Sequence, residues 1–255
     1  MAAVSTFFPA DFLREFSAAA RAASFSAERF GQVQGYPLAA YTKSSPTPRP
    51  RIYLSAGIHG DEPAPPRALL QLLQEGSLDD RYGWSICPLL NPAGMAAGTR
   101  ENRAGLDLNR DYRALQTAEI RAHVGWLRRQ MPFDLTLCLH EDWESPGFYL
   151  YELNPDHRPS LAEPIVEAVS RVCPLDRSAT IDGRPARGGI IRPDDDPTKR
   201  ELWPEAIYLR AHLTRLSYTL ETPSARPEPQ RIKAHTTAIT TAVQALLQNA
   251  PPRPA

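Results

Sequence analysis

The chain has 255 residues, 42% of them hydrophobic and 23% charged, which is enough to build a sizeable core in one soluble globular domain covering residues 1–255. Its 29 basic and 29 acidic residues cancel to a formal net charge of +0. That balance excludes charge-driven attraction to nucleic acid or anionic membrane and suits a small neutral or zwitterionic substrate. The opening Met1–Pro9 lacks the basic start and apolar centre of a secretory signal, and no run of about 18 apolar residues suggests a membrane span. Cys87, Cys138 and Cys173 are odd in number and form no close pair, as expected of reduced thiols and a cytoplasmic protein.

Helical and strand patterns alternate along the chain as an α/β fold requires. Ala10 to Ala23 reads as a first helix. After a proline-bearing loop over Ser45 to Pro50, the apolar run Ile52 to Ala56 reads as a strand that enters Gly57-Ile58-His59-Gly60-Asp61-Glu62. A catalytic zinc site takes three protein ligands and leaves one position open for water, so His59 and Glu62 supply at most two of them. Taken alone, the pair is also what an ordinary polar loop contains. Pro63, Pro65 and Pro66 then open a helix carrying Leu69, Leu70, Leu72 and Leu73, proline being tolerated in a first turn.

A second strand, Ile86 to Leu90, leads into the polar, glycine-bearing stretch Asn91 to Tyr112. Arg100, Arg103 and Arg110 lie in it, and their guanidinium forks can grip a carboxylate or stabilise an oxyanion. Thr117 to Gln130 reads as a helix with Ile120, Val124 and Leu127 on one face. Leu135 to His140 is a third strand that ends on a histidine, followed by the acidic segment Glu141 to Gly147. Sites in α/β sheets assemble outside the carboxyl ends of strands, which makes His140 the candidate third ligand and Asp61, Glu141 and Asp142 candidates to orient the imidazoles.

Ser160-Leu161-Ala162-Glu163 has the form of a capping box opening a helix through Val172. Leu216 to Glu221 is a strand ending on a carboxylate, a group able to take a proton from a metal-bound water and pass it to a leaving amine. The last helix spaces Ile232, Ile239, Val243 and Leu246 for core packing, and Pro251 to Ala255 reads as a disordered tail. The 26 prolines gather in Ser45–Pro50, Pro185–Pro204 and Pro223–Pro229, which read as loops within one domain. His123, His157, His212 and His235 lack an acidic partner at ligand spacing and read as structural, as does Cys138.

Taken together, His59-x-x-Glu62, the Thr99-to-Arg110 run with its Gly-x-Asp-x-Asn-Arg element, the strand-end His140 and the Thr-Leu-Glu-Thr-Pro segment at Glu221 resemble the zinc metallocarboxypeptidases. The likeness is to carboxypeptidase A-like enzymes, including compact bacterial members related to murein peptide amidases, and extends to succinylglutamate desuccinylase and aspartoacylase. The resemblance implies a central mixed β-sheet flanked by helices and one Zn2+ held by His59, Glu62 and His140. It further implies Glu221 as general base and acid, Arg100 polarising the scissile carbonyl, and Asn109 with Arg110 holding a terminal carboxylate. The implied activity is hydrolysis of the amide beside a free C-terminal carboxylate by a zinc-bound water.

An N-acyl amino acid deacylase is the alternative within the same resemblance, and a non-catalytic peptide-binding relative is a second. The deacylases are expected to carry a further domain after the catalytic glutamate, whereas residues 222–255 leave room for a loop and one helix. That favours a small peptide over an N-acyl amino acid as substrate. The tyrosine that closes over substrate in pancreatic-type members has no clear counterpart; Tyr208 and Tyr218 are the nearby candidates. The arginine-bearing segment Asp182 to Pro193 occupies the place of a specificity loop.

Overall fold

In the computed structural model, which describes residues 7–45, 50–194 and 196–249, the centre is a run of short apolar strands that the backbone can satisfy only by pairing. The expected tail at Pro251 to Ala255 lies outside these residues, as does most of the first proline loop. Four strands lie parallel: β3 (Arg51–Ser55), β4 (Gly83–Cys87), β5 (Leu135–Asp142) and β10 (Ser217–Pro223). On one side β2 (Tyr36–Lys43) joins β4 antiparallel and carries β1 (Ser26–Val33). On the other, β6 (Tyr149–Leu153) runs antiparallel to β10 and is followed by β9 (Ile190–Ile191), β8 (Arg184–Arg187) and β7 (Thr180–Ile181). The resulting ten-stranded mixed sheet has the order β1-β2-β4-β3-β5-β10-β6-β9-β8-β7.

Helices cover both faces, as the near-continuous apolar content of the central strands demands. Against one face pack α1 (Pro9–Ala22), α2 (Ala64–Gln74), α5 (Ala162–Val169) and α7 (Glu228–Gln248). Phe16, Leu69, Ile165 and Ile239 from these helices meet Ile52, Leu137 and Leu220 of the sheet. Against the other lie α4 (Ala118–Leu127) and α6 (Glu205–His212), whose Val124 and Leu209 share a core with Tyr53 and Cys138. The short α3 (Pro92–Ala97) sits between β4 and the loop that follows.

The expected elements recur with small shifts in their ends. Pro65 and Pro66 stand in the first turn of α2, and Thr117 caps α4 by accepting from Ile120 N at 3.3 Å. The helix expected to run from a Ser160 capping box through Val172 is shorter, Ala162–Val169. Its N-cap is Leu161, with no side-chain cap. Glu163 is held by Arg192 at 2.7 Å and also hydrogen-bonds the Ser160 side chain, and Pro174 disfavours helix at the residue before it. Cys87, Cys138 and Cys173 are buried and free.

Two glycines decide where the segment after β3 goes. Gly57 has φ +63°, a left-handed turn, and a side chain there would meet Leu89 at 2.6 Å. At Gly60 a Cβ would sit 2.0 Å from the Gly94 carbonyl carbon, so only glycine allows His59 and Glu62 to approach α3 and the loop bearing Arg100.

Candidate metal centre and substrate cavity

Strand periodicity places the chemistry on one face. In β5, Leu135, Leu137 and Leu139 enter the core under α2 and α7, so Cys138 and His140 point to the opposite face. Glu221 is the direct partner of His140 across the parallel β5–β10 ladder, and Tyr149 is the partner of Glu221 across the antiparallel β10–β6 ladder. His140, Glu221 and Tyr149 therefore form one row across three strands at the carboxyl end of the parallel set. All three line a cavity of about 690 Å³.

His59 and Glu62, from the Gly57 turn, complete a buried cluster with His140. His59 Nδ1 lies 2.6 Å from Glu62 Oε1, His140 Nδ1 lies 3.1 Å from Glu62 Oε2, and the two Nδ1 atoms are 3.2 Å apart. One ligand atom from each residue falls within 4.8 Å of the others, so the three can hold a metal ion. The donor chemistry fits: two imidazoles offer the same nitrogen toward one carboxylate, and His59 Nε2 is anchored 3.2 Å from Asp107 Oδ1.

Burial and neighbouring charges shift the groups of the cluster in different directions. Burial opposes a charged imidazole, yet Glu62 and Asp107 raise His59 to about 9. Burial prevails at His140, which is lowered despite Glu62. Glu62 is buried too, but the two imidazoles hold it below the ordinary carboxylate range. Glu221 moves the other way, well upward, through burial and repulsion from Glu62 and Asp142 that Arg100 only partly offsets.

Arg100 bridges the cluster and its support, with Nη1 3.8 Å from Glu62 Oε1 and Nη2 3.2 Å from Asp107 Oδ2. Asp107 also accepts from Asn109 N at 2.8 Å, fixing the short 3-10 turn Leu108–Arg110. Asn109 is buried and its Oδ1 accepts from Glu205 N at 2.8 Å, tying this loop to the start of α6. Arg110 is exposed and its Nη1 donates to Asn109 O at 2.9 Å.

His59, Glu62, Arg100, Asn109, Arg110, His140 and Glu221 all border the one cavity, whereas Arg103 is exposed and away from its wall. The partners expected to orient the imidazoles differ from those found. Asp107, not Asp61, holds His59. Glu141 is buried against Arg231 and accepts from Ala64 N at 2.7 Å, and Asp142 accepts from Tyr149 Oη at 2.8 Å. Tyr208 and Tyr218 are buried away from the cavity, and Tyr218 donates to Glu152 at 2.9 Å. The tyrosines on its wall are Tyr149 and Tyr151, whose i, i+2 spacing in a strand was the available signal. His123 and His235 are fully buried.

A parallel-centred sheet with a His-Glu-His cluster and a carboxylate at its strand ends defines a metal-dependent hydrolase. More narrowly, the chain is similar to the zinc carboxypeptidase-like hydrolases and, over part of its length, to the succinylglutamate desuccinylase and aspartoacylase hydrolases. Residues 48–162 match the succinylglutamate desuccinylase/aspartoacylase catalytic domain. Two solved Shewanella structures, each called a "putative metallopeptidase", are similar over nearly their whole length. The protein from Shewanella amazonensis SB2B is 27% identical over 92% of each chain with TM-score 0.80. That from Shewanella baltica OS155 is 25% identical over 92% of this chain and 91% of its own, with TM-score 0.82. A metallo-carboxypeptidase from Burkholderia cenocepacia shares the fold at 20% identity, covering 92% of this chain and 68% of its own, with TM-score 0.70. Comparison with curated proteins gave no match.

Proposed function

We propose that this protein is a zinc metallocarboxypeptidase that hydrolyses the amide bond beside a free C-terminal carboxylate. The observation that carries the reading is the convergence on one cavity of the His59–Glu62–His140 cluster, the facing Glu221, and the cationic and amide groups of Arg100, Asn109 and Arg110. His59, Glu62 and His140 would hold the ion, which when bound supplies Lewis acidity and lowers the pKa of water.

The chain's own groups do the rest. Glu221, in register with His140, is placed to take a proton from the attacking water and deliver it to the departing amine. Arg100 keeps its charge beside Asp107 and Glu62 and is available to the oxygen on which negative charge develops. Arg110, exposed on the wall, offers a fork to the terminal carboxylate, and the Asn109 amide lies next to it. Capture of the chain end there positions the scissile bond between Arg100 and Glu221.

Deacylation of an N-acyl amino acid is the second reading, favoured by the match of residues 48–162 to the desuccinylase/aspartoacylase domain. Both reactions place a free carboxylate beside the scissile amide, so the substrate mixture must separate them. The test is mass-spectrometric product analysis of zinc-loaded protein incubated with free-carboxylate peptides, their C-terminal amides, murein peptides and N-acyl amino acids. Loss of C-terminal residues from free-carboxylate peptides alone is the expected outcome. Release of acyl groups with every peptide untouched would replace this reading by the deacylase.

A further inference from the structure

Four arginines border the cavity, among the carboxylates Glu62, Glu141, Asp142, Glu144, Asp176, Asp182 and Glu221. Besides Arg100 and Arg110, its wall includes Arg184 from β8 and Arg200 from the loop before α6. Both lie outside residues 48–162, the segment similar to the desuccinylase/aspartoacylase catalytic domain. Arg200 is held firmly: its N donates to Pro197 O at 3.2 Å, its O accepts from Arg113 Nη1 at 2.7 Å, and its Nη2 donates to Asp194 O at 2.9 Å. Yet its Nε is buried with no hydrogen-bond partner among the described residues. A buried donor left unpaired is costly.

The surrounding charges add to that cost. Arg200 is only partly exposed and lies in the repulsive fields of Arg184 and Arg110. The nearby carboxylates are shared: Asp194 pairs with Lys199 and also favours the Arg200 charge, and Asp182 accepts from Tyr151 Oη and stands 4.0 Å from Arg184 Nε. On the remaining wall Asp142 is bound by Tyr149 Oη and Asp176 by Ser145 Oγ. The lining also includes the apolar Leu153, Ala206 and Ile207, able to cover methylene groups.

We propose that Arg200, assisted by Arg184, determines specificity by binding a side-chain carboxylate on the substrate's terminal residue, so that the preferred leaving group is a C-terminal glutamate or aspartate. The proposal rests on the carboxypeptidase reading, in which Arg110 is occupied by the main-chain carboxylate. A guanidinium fork suits the second carboxylate through paired hydrogen bonds, and the neutral amide isostere would leave the cationic cluster uncompensated.

The test compares zinc-loaded protein on peptides that differ only in ending with Glu or Gln. A Glu-over-Gln preference in kcat/KM of roughly a hundredfold is expected, in the range for charge pairs shielded from water. That ratio should fall to within about threefold of unity in Arg200→Met and recover in part in Arg200→Lys. It should persist in Arg187→Met, which alters an exposed arginine of β8 off the cavity wall. Peptide cleavage without a Glu preference, or with one untouched by Arg200→Met, overturns the proposal and leaves the carboxypeptidase reading standing. If no peptide is cleaved, that reading fails and the pocket is judged by calorimetry. Tighter binding of free L-glutamate than L-glutamine, lost in Arg200→Met, supports the proposal, and equal binding of the two overturns it.

Discussion

Replacing Asp107 by Asn tests the idea that this residue, rather than its neighbour in sequence Asp61, tunes the metal centre. Asp107 Oδ1 lies 3.2 Å from His59 Nε2 and accepts from Asn109 N at 2.8 Å, while Oδ2 takes Arg100 Nε and Nη2 at 3.2 Å each. Asparagine keeps an oxygen for the backbone bond, so the turn at Leu108–Arg110 should persist, but it removes the charge behind His59. A charge-assisted hydrogen bond exceeds a neutral one by about 1–1.5 kcal/mol, which amounts to roughly tenfold in affinity. Loosening of the imbalanced Arg100 adds to that, and the expected loss of zinc affinity is about 10- to 100-fold, the usual cost of removing such a support.

The assay is competition for zinc against a chromophoric chelator across pH, with Asp61→Asn as control. Zinc takes the neutral imidazole, and against the opposing effect of burial Glu62 and Asp107 raise His59 to about 9. Affinity should therefore rise about tenfold per pH unit up to that point and then level, with a proton released on binding. In Asp107→Asn one of the raising groups is gone, so the plateau should begin at lower pH. Zinc affinity within twofold of the parent, or an equal loss in Asp61→Asn, would refute the assignment.

Glu221→Gln should retain stoichiometric zinc by elemental analysis and slow hydrolysis at least about a hundredfold; full activity would remove Glu221 from its proposed role. Arg110→Ala should raise KM for free-carboxylate substrates far more than for amidated ones, and an equal loss on both would assign Arg110 to the fold. His123 lies fully buried between Tyr53 Oη at 2.9 Å and Tyr112 Oη at 2.8 Å, and burial lowers it to about 3. Between that value and about 6.5 the unfolded chain binds the extra proton, so stability should fall as pH drops through this window, by up to about 5 kcal/mol. Denaturant melts of His123→Gln should show a shallower acid slope. Glu205 has the opposite sign: burial raises it to about 7 although Tyr53 and Ser55 donate to it. The folded state then holds the extra proton, and stability should fall by about 3 kcal/mol as pH rises from about 4.5 to 7, a loss that Glu205→Gln should abolish.

Local pattern was enough to locate the strand-end candidate residues. His140 and Glu221 close apolar runs, and period-two alternation put each on the face opposite its leucines. His59 and Glu62 follow the next parallel strand through a glycine turn, so their arrival at the same edge also follows from local chemistry. Arg100, Asn109 and Arg110 were legible through the resemblance, since an arginine in a polar loop is on its own an ordinary surface residue.

What only the tertiary structure decided is which groups meet when distant segments fold against that edge. Asp61 is two residues from His59, yet the partner is Asp107, 48 positions away, because Gly60 packs on Gly94 and brings the second loop alongside. Tyr149 and Tyr151 face the cavity while Tyr208 and Tyr218 do not, an outcome of the antiparallel register of β6 against β10 and of burial under neighbouring elements. Arg184 and Arg200 border the same cavity as Arg110 although at least two helices and three strands separate them from it in the chain. Periodicity and turn chemistry act over a few residues and so are written in the sequence itself. Partner choice across a cavity depends on how whole elements pack, a sum of many weak contacts that no short stretch of the chain encodes.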